Sequence, residues 1–120
     1  MSKLAFAITA GTALQILMVF VGHFFPVLQS AGLFPIAGSL IGIFTGWLTA
    51  PAGAPSQAAG RGAVAGGVAG AIGSLVSTAL GDVPLGNVAI AGVSTIVAGA
   101  LGALLRRKLD QAAVRRQRSG

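Results

Sequence analysis

Few residues in this chain can do chemistry, and nearly all of them are neutral. Histidine occurs once, at His23, and glutamate, tyrosine and cysteine are absent. Between Leu4 and Leu105 only Arg61 and Asp82 carry a charge. A nucleophile–base pair, a thiolate site and a multi-carboxylate metal site all fail for want of residues. One histidine cannot supply both axial ligands of a haem, and beside Phe24 and Phe25 it fits an amphipathic anchor at an interface. So no catalytic, cofactor-binding or metal residue is assigned. No cofactor is expected, and the chain is not read as an enzyme.

Hydrogen bonding and close packing are the chemistry that remains. Serine and threonine are scattered through the apolar stretches, where each can bond back to a carbonyl of its own helix. Gln15 is different. Its amide is costly in hydrocarbon when unpaired, so it should face other helices and bond across to them. Glycine spacing supplies the packing. Gly38, Gly42 and Gly46 form one GxxxGxxxG, and Gly62, Gly66 and Gly70 form another. Gly92 and Gly99 lie two turns apart with Thr95 between them. Residues four apart stack on one helix face, so these are helix-packing faces of the glycine-zipper kind. They can serve packing within one bundle or between copies.

The charge lies elsewhere. Seven ionised residues fall in the last fifteen, RRKLDQAAVRRQRSG, and the net charge is +6. Arg106, Arg107, Lys108, Arg115, Arg116 and Arg118 are read as contacts for anionic lipid headgroups, at about 1 kcal/mol each near the surface. Nucleic acid is not expected as a partner, since no aromatic platform or binding motif stands behind the charge.

These groups need elements to hold them. At 120 residues with a mean hydropathy of +0.87, the chain reads as one integral membrane domain. Four apolar segments, about 4–22, 33–50, 62–80 and 86–105, are each long enough to cross roughly 30 Å of hydrocarbon as a helix. The fold class is all-α, a bundle of four transmembrane helices over residues 1–105. A basic tail, 106–120, can continue the last helix. The first run is read as an uncleaved span, longer than a secretory leader's core. The third segment, built on glycine and alanine, is the weakest, and a re-entrant or three-span arrangement is its alternative. Pro35 suits a first helical turn, Pro51 and Pro55 fall in the loop joining the second and third segments, and Asp82 or Asn87 can cap the fourth helix.

In the four-span arrangement Lys3, Arg61 and the basic tail share one side, and His23 and Asp82 lie on the other. That is the positive-inside pattern. It predicts a multi-pass protein of the inner (cytoplasmic) membrane with both termini cytoplasmic. Phe24, Phe25 and Phe34 should mark one interface and Trp47 the other.

The FP-containing turn, the GxxxG span, the Gly/Pro loop and the run RGAVAGG resemble small glycine-rich four-helix membrane proteins of bacteria and archaea. The ending GALGALLRRK is similar to that of the transglycosylase-associated small membrane proteins. The resemblance implies a fold and no activity. The expected function is that of a structural or accessory membrane protein. It would associate through glycine faces with itself or with a larger membrane complex. The alternative is a passive channel or transporter for a small solute, which requires Ser, Thr and Gln side chains to face a common axis. Proton-coupled transport is disfavoured, because no segment holds an acidic residue.

Overall fold

The computed structural model describes residues 2–30, 33–49, 54–82 and 84–119; the side chains of residues 29, 30, 33, 34, 87 and 119 lie outside that description. The described residues form helices and no strand. In chain order these are α1 (Lys3–Phe24), α2 (Pro26–Ser30), α3 (Leu33–Trp47), α4 (Pro55–Ala79) and α5 (Gly86–Ser119). Phe34, Pro51 and Asn87 figured in the sequence expectations, but the Phe34 and Asn87 side chains and all of Pro51 fall outside the described residues.

Local chemistry sets the helix ends. Ser2 caps α1, its hydroxyl accepting from the Ala5 N–H at 3.1 Å. Pro55 opens α4, where a missing N–H costs nothing, and the Gln57 side chain accepts from the Ala54 N–H at 3.3 Å. This start lies ahead of the expected Gly62, so more than half of the Gly/Pro loop is helical. Gly81 closes α4 at φ +79°. Its N–H donates to Thr78 and that of Asp82 to Ser77, both at 3.0 Å, which is a Schellman ending.

Three helices are long and apolar enough to cross a membrane: α1, α4 and residues Val88–Arg118 of α5. The protein is therefore a multi-pass membrane protein. The marginal element is not the one expected. The glycine-rich α4 gains length from its early start and reaches 25 residues, whereas α3 has only 15. At 1.5 Å per residue α3 is about 22 Å long, shorter than the hydrocarbon layer.

The four longer helices run alternately up and down. Gln15 meets Gly38 and Gly11 meets Thr45, so α3 runs against α1. Gly42 meets Ala98 and Trp47 meets Arg106, so α5 runs parallel to α3. Gly62 also meets Gly99, and Gly70 meets Thr95, so α4 runs against α5. α4 touches α1, α3 and α5, while α1 and α5 do not touch each other. The cross-section is a rhombus with α3 and α4 on its short diagonal. Arg61 and Arg106 lie at one end, called here the basic end, and His23 and Asp82 at the far end.

Side-chain size is inverted relative to a water-soluble bundle. The buried apolar residues are alanines and Val19, and the largest fully buried side chains are Thr45 and Thr49. Phe6, Leu17, Phe20, Leu40, Phe44 and Leu101 point outward, each at least 41% exposed. In hydrocarbon nothing drives large apolar groups inward, so helices associate by close fit of small residues.

Candidate functional site

The bundle divides into a tightly closed half and an open half. Closure is made of backbone. A Cβ at Gly46 or at Gly62 would land on the Gly99 carbonyl, and one at Gly99 on the Gly62 carbonyl. One turn away, a Cβ at Gly66 would strike the Thr95 carbonyl and come within 3.0 Å of the Gly99 Cα. Gly42 lies against Ala98, where a Cβ would sit 2.9 Å from the alanine methyl, and Gly70 lies against the Thr95 side chain. Six of the eight glycines singled out in the sequence therefore face this chain's own helices. Gly38 is buried, but a methyl there would meet only Met18 and Gln15, at ordinary distances of 3.7 and 3.8 Å. Gly92 differs from expectation. Among the described residues nothing lies within 4 Å of its Cβ position, so α5 makes no close approach through it. Gly11, Gly73 and Gly102 make close contacts outside the four-residue repeats. They oppose Thr45, Gln15 and the Ile43 carbonyl respectively, as isolated glycines without a four-residue repeat on their own face.

Beyond Gly42 and Thr95, toward the far end, the helices part around a cavity of about 380 Å³. All four longer helices line it. Its polar groups are Gln15 from α1, Ser39 from α3, Ser74 and Ser77 from α4, and Ser94 and Thr95 from α5. Two of these are already engaged. Gln15 is buried, and its Nε2 donates to the Gly38 carbonyl at 3.2 Å. Thr95 Oγ1 donates to its own helix at Ala91, 2.7 Å away. The four serine hydroxyls have no hydrogen-bond partner among the described residues. Ser77 is the deepest of them, only 5% exposed.

At the far end His23 Nδ1 lies 3.0 and 3.1 Å from the two carboxylate oxygens of Asp82. The pair ties the end of α1 to the turn after α4. His23 also meets Phe24 edge to face at 5.4 Å. Asp82 therefore does not act as a cap for α5: its carboxylate turns back to His23. The sequence had placed both residues on one side without pairing them, though they are the one acid and one histidine outside the tail.

At the basic end two arginines converge on the last turn of α3. Arg106 Nη1 donates to the Trp47 carbonyl at 2.8 Å, and Arg61 Nη2 to the Thr49 carbonyl at 3.5 Å. The end of a helix leaves carbonyls unsatisfied and carries a partial negative charge, so both contacts are favourable. Arg106 also lies 3.8 Å from Asp110, one turn along α5. Besides the headgroup contact expected of it, Arg106 thus binds a neighbouring helix. Lys108 and Arg118 are exposed along the free length of α5. Arg107, Arg115 and Arg116 each have an interaction of their own.

Comparison with family models, curated proteins and solved structures finds no match to this chain.

Proposed function

We propose that the chain is a small structural or accessory membrane protein that associates with a larger membrane complex or with further copies. The observation that carries this reading is the backbone layer of Gly46, Gly62 and Gly99. It closes the bundle with no room for a side chain, and so favours a packing module over a through-pore. The same layer spends the glycine faces inside the chain. Association then falls to the outward apolar surface and the tail. The resemblance to small glycine-rich four-helix membrane proteins is part of this proposal, as is the absence of a catalytic role.

The tail supports a partner as well as a lipid surface. α5 is one helix through Ser119. Arg115 lies about 14 Å beyond Arg106 along it, at 1.5 Å per residue, which exceeds a Debye length of about 8 Å. The bases nearest the bundle, Arg107 and Lys108, suit anionic headgroups. Arg115, Arg116 and Arg118 reach further, toward an acidic protein surface.

The test is flux. Purified protein in liposomes should leave glycerol and urea permeability within about twofold of empty vesicles, because water-filled passage needs a continuous polar path. A large saturable increase would replace this reading with the channel alternative.

The one-sided distribution of Lys and Arg supports an orientation in the cytoplasmic membrane with both termini inside. A reporter active only outside that membrane, fused after Gly120, should stay silent. Strong activity there would overturn the proposed orientation.

A further inference from the structure

The far-end cavity is closed on one side and open on another. Its back wall includes Gln15, Gly73 and Ser77, all buried. Its exposed lining residues are Pro35 on α3 and Ile90 and Ser94 on α5. The close approaches between α3 and α5 all lie at Gly42 or toward the basic end: Gly42 with Ala98, Gly46 with Gly99, Ile43 with Gly102 and Trp47 with Arg106. The mouth is therefore a gap in the bundle's flank between α3 and α5. It opens among side chains such as Ile36, Leu40 and Val93, each more than 60% exposed on the outward apolar surface.

The lining restricts what can bind. No charged residue contributes to it. The nearest titratable residues along the chain, His23 and Asp82, are bound to each other at the far end. A charged ligand would enter without a counter-ion, at a high desolvation cost. A pure hydrocarbon would offer the four serine hydroxyls no partner beyond the carbonyls of their own helices, and so would forgo their hydrogen bonds. A neutral molecule with an apolar body and one hydrogen-bonding head meets both constraints. The volume holds about a dozen non-hydrogen atoms at roughly 30 Å³ each.

We propose that this cavity is a binding site for a neutral amphiphile, a hydrocarbon body bearing a hydroxyl or carbonyl head, admitted sideways from the bilayer between α3 and α5. The head sits against Ser74 and Ser77, and the body lies along Met18, Val19 and Ile90 toward the mouth. The site does not depend on the accessory role proposed above, because a dead-ended cavity needs no path through the glycine layer.

The full-length protein in liposomes tests this with three photoreactive diazirine compounds: a long-chain alcohol, the matched alkane, and a short water-soluble alcohol. Labelled residues are mapped by peptide mass spectrometry. The long-chain alcohol should label the segments 70–77 and 90–95 about tenfold more than the alkane does. Ala91→Phe, which fills the cavity from α5, should abolish that labelling while leaving the circular dichroism unchanged. Ser77→Ala should bring the ratio of alcohol to alkane labelling toward one, and this carries the test if Ala91→Phe does not fold. Equal labelling by alcohol and alkane in the native chain, or none in these segments, would overturn the site. Preferential labelling by the short alcohol would overturn lateral entry and make water the source of the ligand.

Discussion

Gly99→Ala is expected to destabilise the purified protein by about 3 kcal/mol or more, the upper end for a methyl forced into a packed core. Gly92→Ala, two turns away on the same helix, is expected to be neutral or stabilising. The added atom is the same and the surroundings differ. At Gly99 the methyl would collide with the Gly62 carbonyl and come within 3.1 Å of the Gly66 Cα. These are backbone atoms of a neighbouring helix, so no rotamer change relieves the clash. α4 and α5 must move apart, and in hydrocarbon the contact they lose is not replaced by a hydrophobic gain. At Gly92 nothing among the described residues lies within 4 Å, and alanine is favoured over glycine inside a helix by about 0.5–1 kcal/mol. Thermal unfolding in a mild detergent, followed by circular dichroism, reads both. Equal shifts for the two variants would mean that α4 and α5 do not approach through Gly62 and Gly99.

The contrast between these two glycines shows how far the sequence could be read. Four-residue spacing places Gly62, Gly66 and Gly70 on one face, and the helix delivers that face as a unit. Spacing does not reveal which glycine a neighbouring helix will meet, and among the described residues Gly92 meets none. Nor does it reveal a lone contact such as Gly102 on Ile43, which depends on the register between α3 and α5. Hydropathy located the apolar segments because hydrocarbon demands them. It misjudged which was marginal. Pro55 and Gln57 start α4 by local hydrogen bonding, to which an apolar window is blind, and α3 ends at Trp47 short of the run's apolar length. Gln15 was readable from cost alone, since a buried amide must find a partner. The cavity was not. Serines at 39, 74, 77 and 94 are unremarkable in sequence, and only the parting of the helices beyond Thr95 brings them together.

Closure and opening follow from one compositional choice. Interior positions near the basic end are glycine and alanine apart from Thr45 and Thr49, so backbones meet. Near the far end serine, methionine and valine replace them, and the helices stand further apart. The same bundle is therefore closely packed at one end and hollow at the other. The His23–Asp82 pair at the far end ties α1 to the turn after α4, on the side of the cavity's back wall.

Arg106→Ala should cost about 2–3 kcal/mol of stability, whereas Arg118→Ala should cost less than about 0.5 kcal/mol. Both remove one positive charge from the same helix, but Arg118 is exposed on its free length. The difference comes from α3. At about 22 Å this helix is too short for the hydrocarbon layer, and its last carbonyls end where water is scarce. An unsatisfied carbonyl in such a place costs several kcal/mol. Arg106 reaches across from α5 to the Trp47 carbonyl at 2.8 Å, with a charged donor that makes the bond stronger than a neutral one. Arg61 supports the carbonyl two residues on, that of Thr49, at the longer distance of 3.5 Å, so Arg61→Ala should cost less. Arg106→Lys keeps the charge and loses the planar fork, and should fall between native and alanine. The Arg106 effect should persist at high salt and in neutral lipid, since its main partner is a carbonyl and the side chain is only 29% exposed. Unfolding in neutral and anionic bicelles separates the two roles. An Arg106→Ala loss that vanishes in neutral lipid would return this residue to the headgroup layer and leave the end of α3 without its cap.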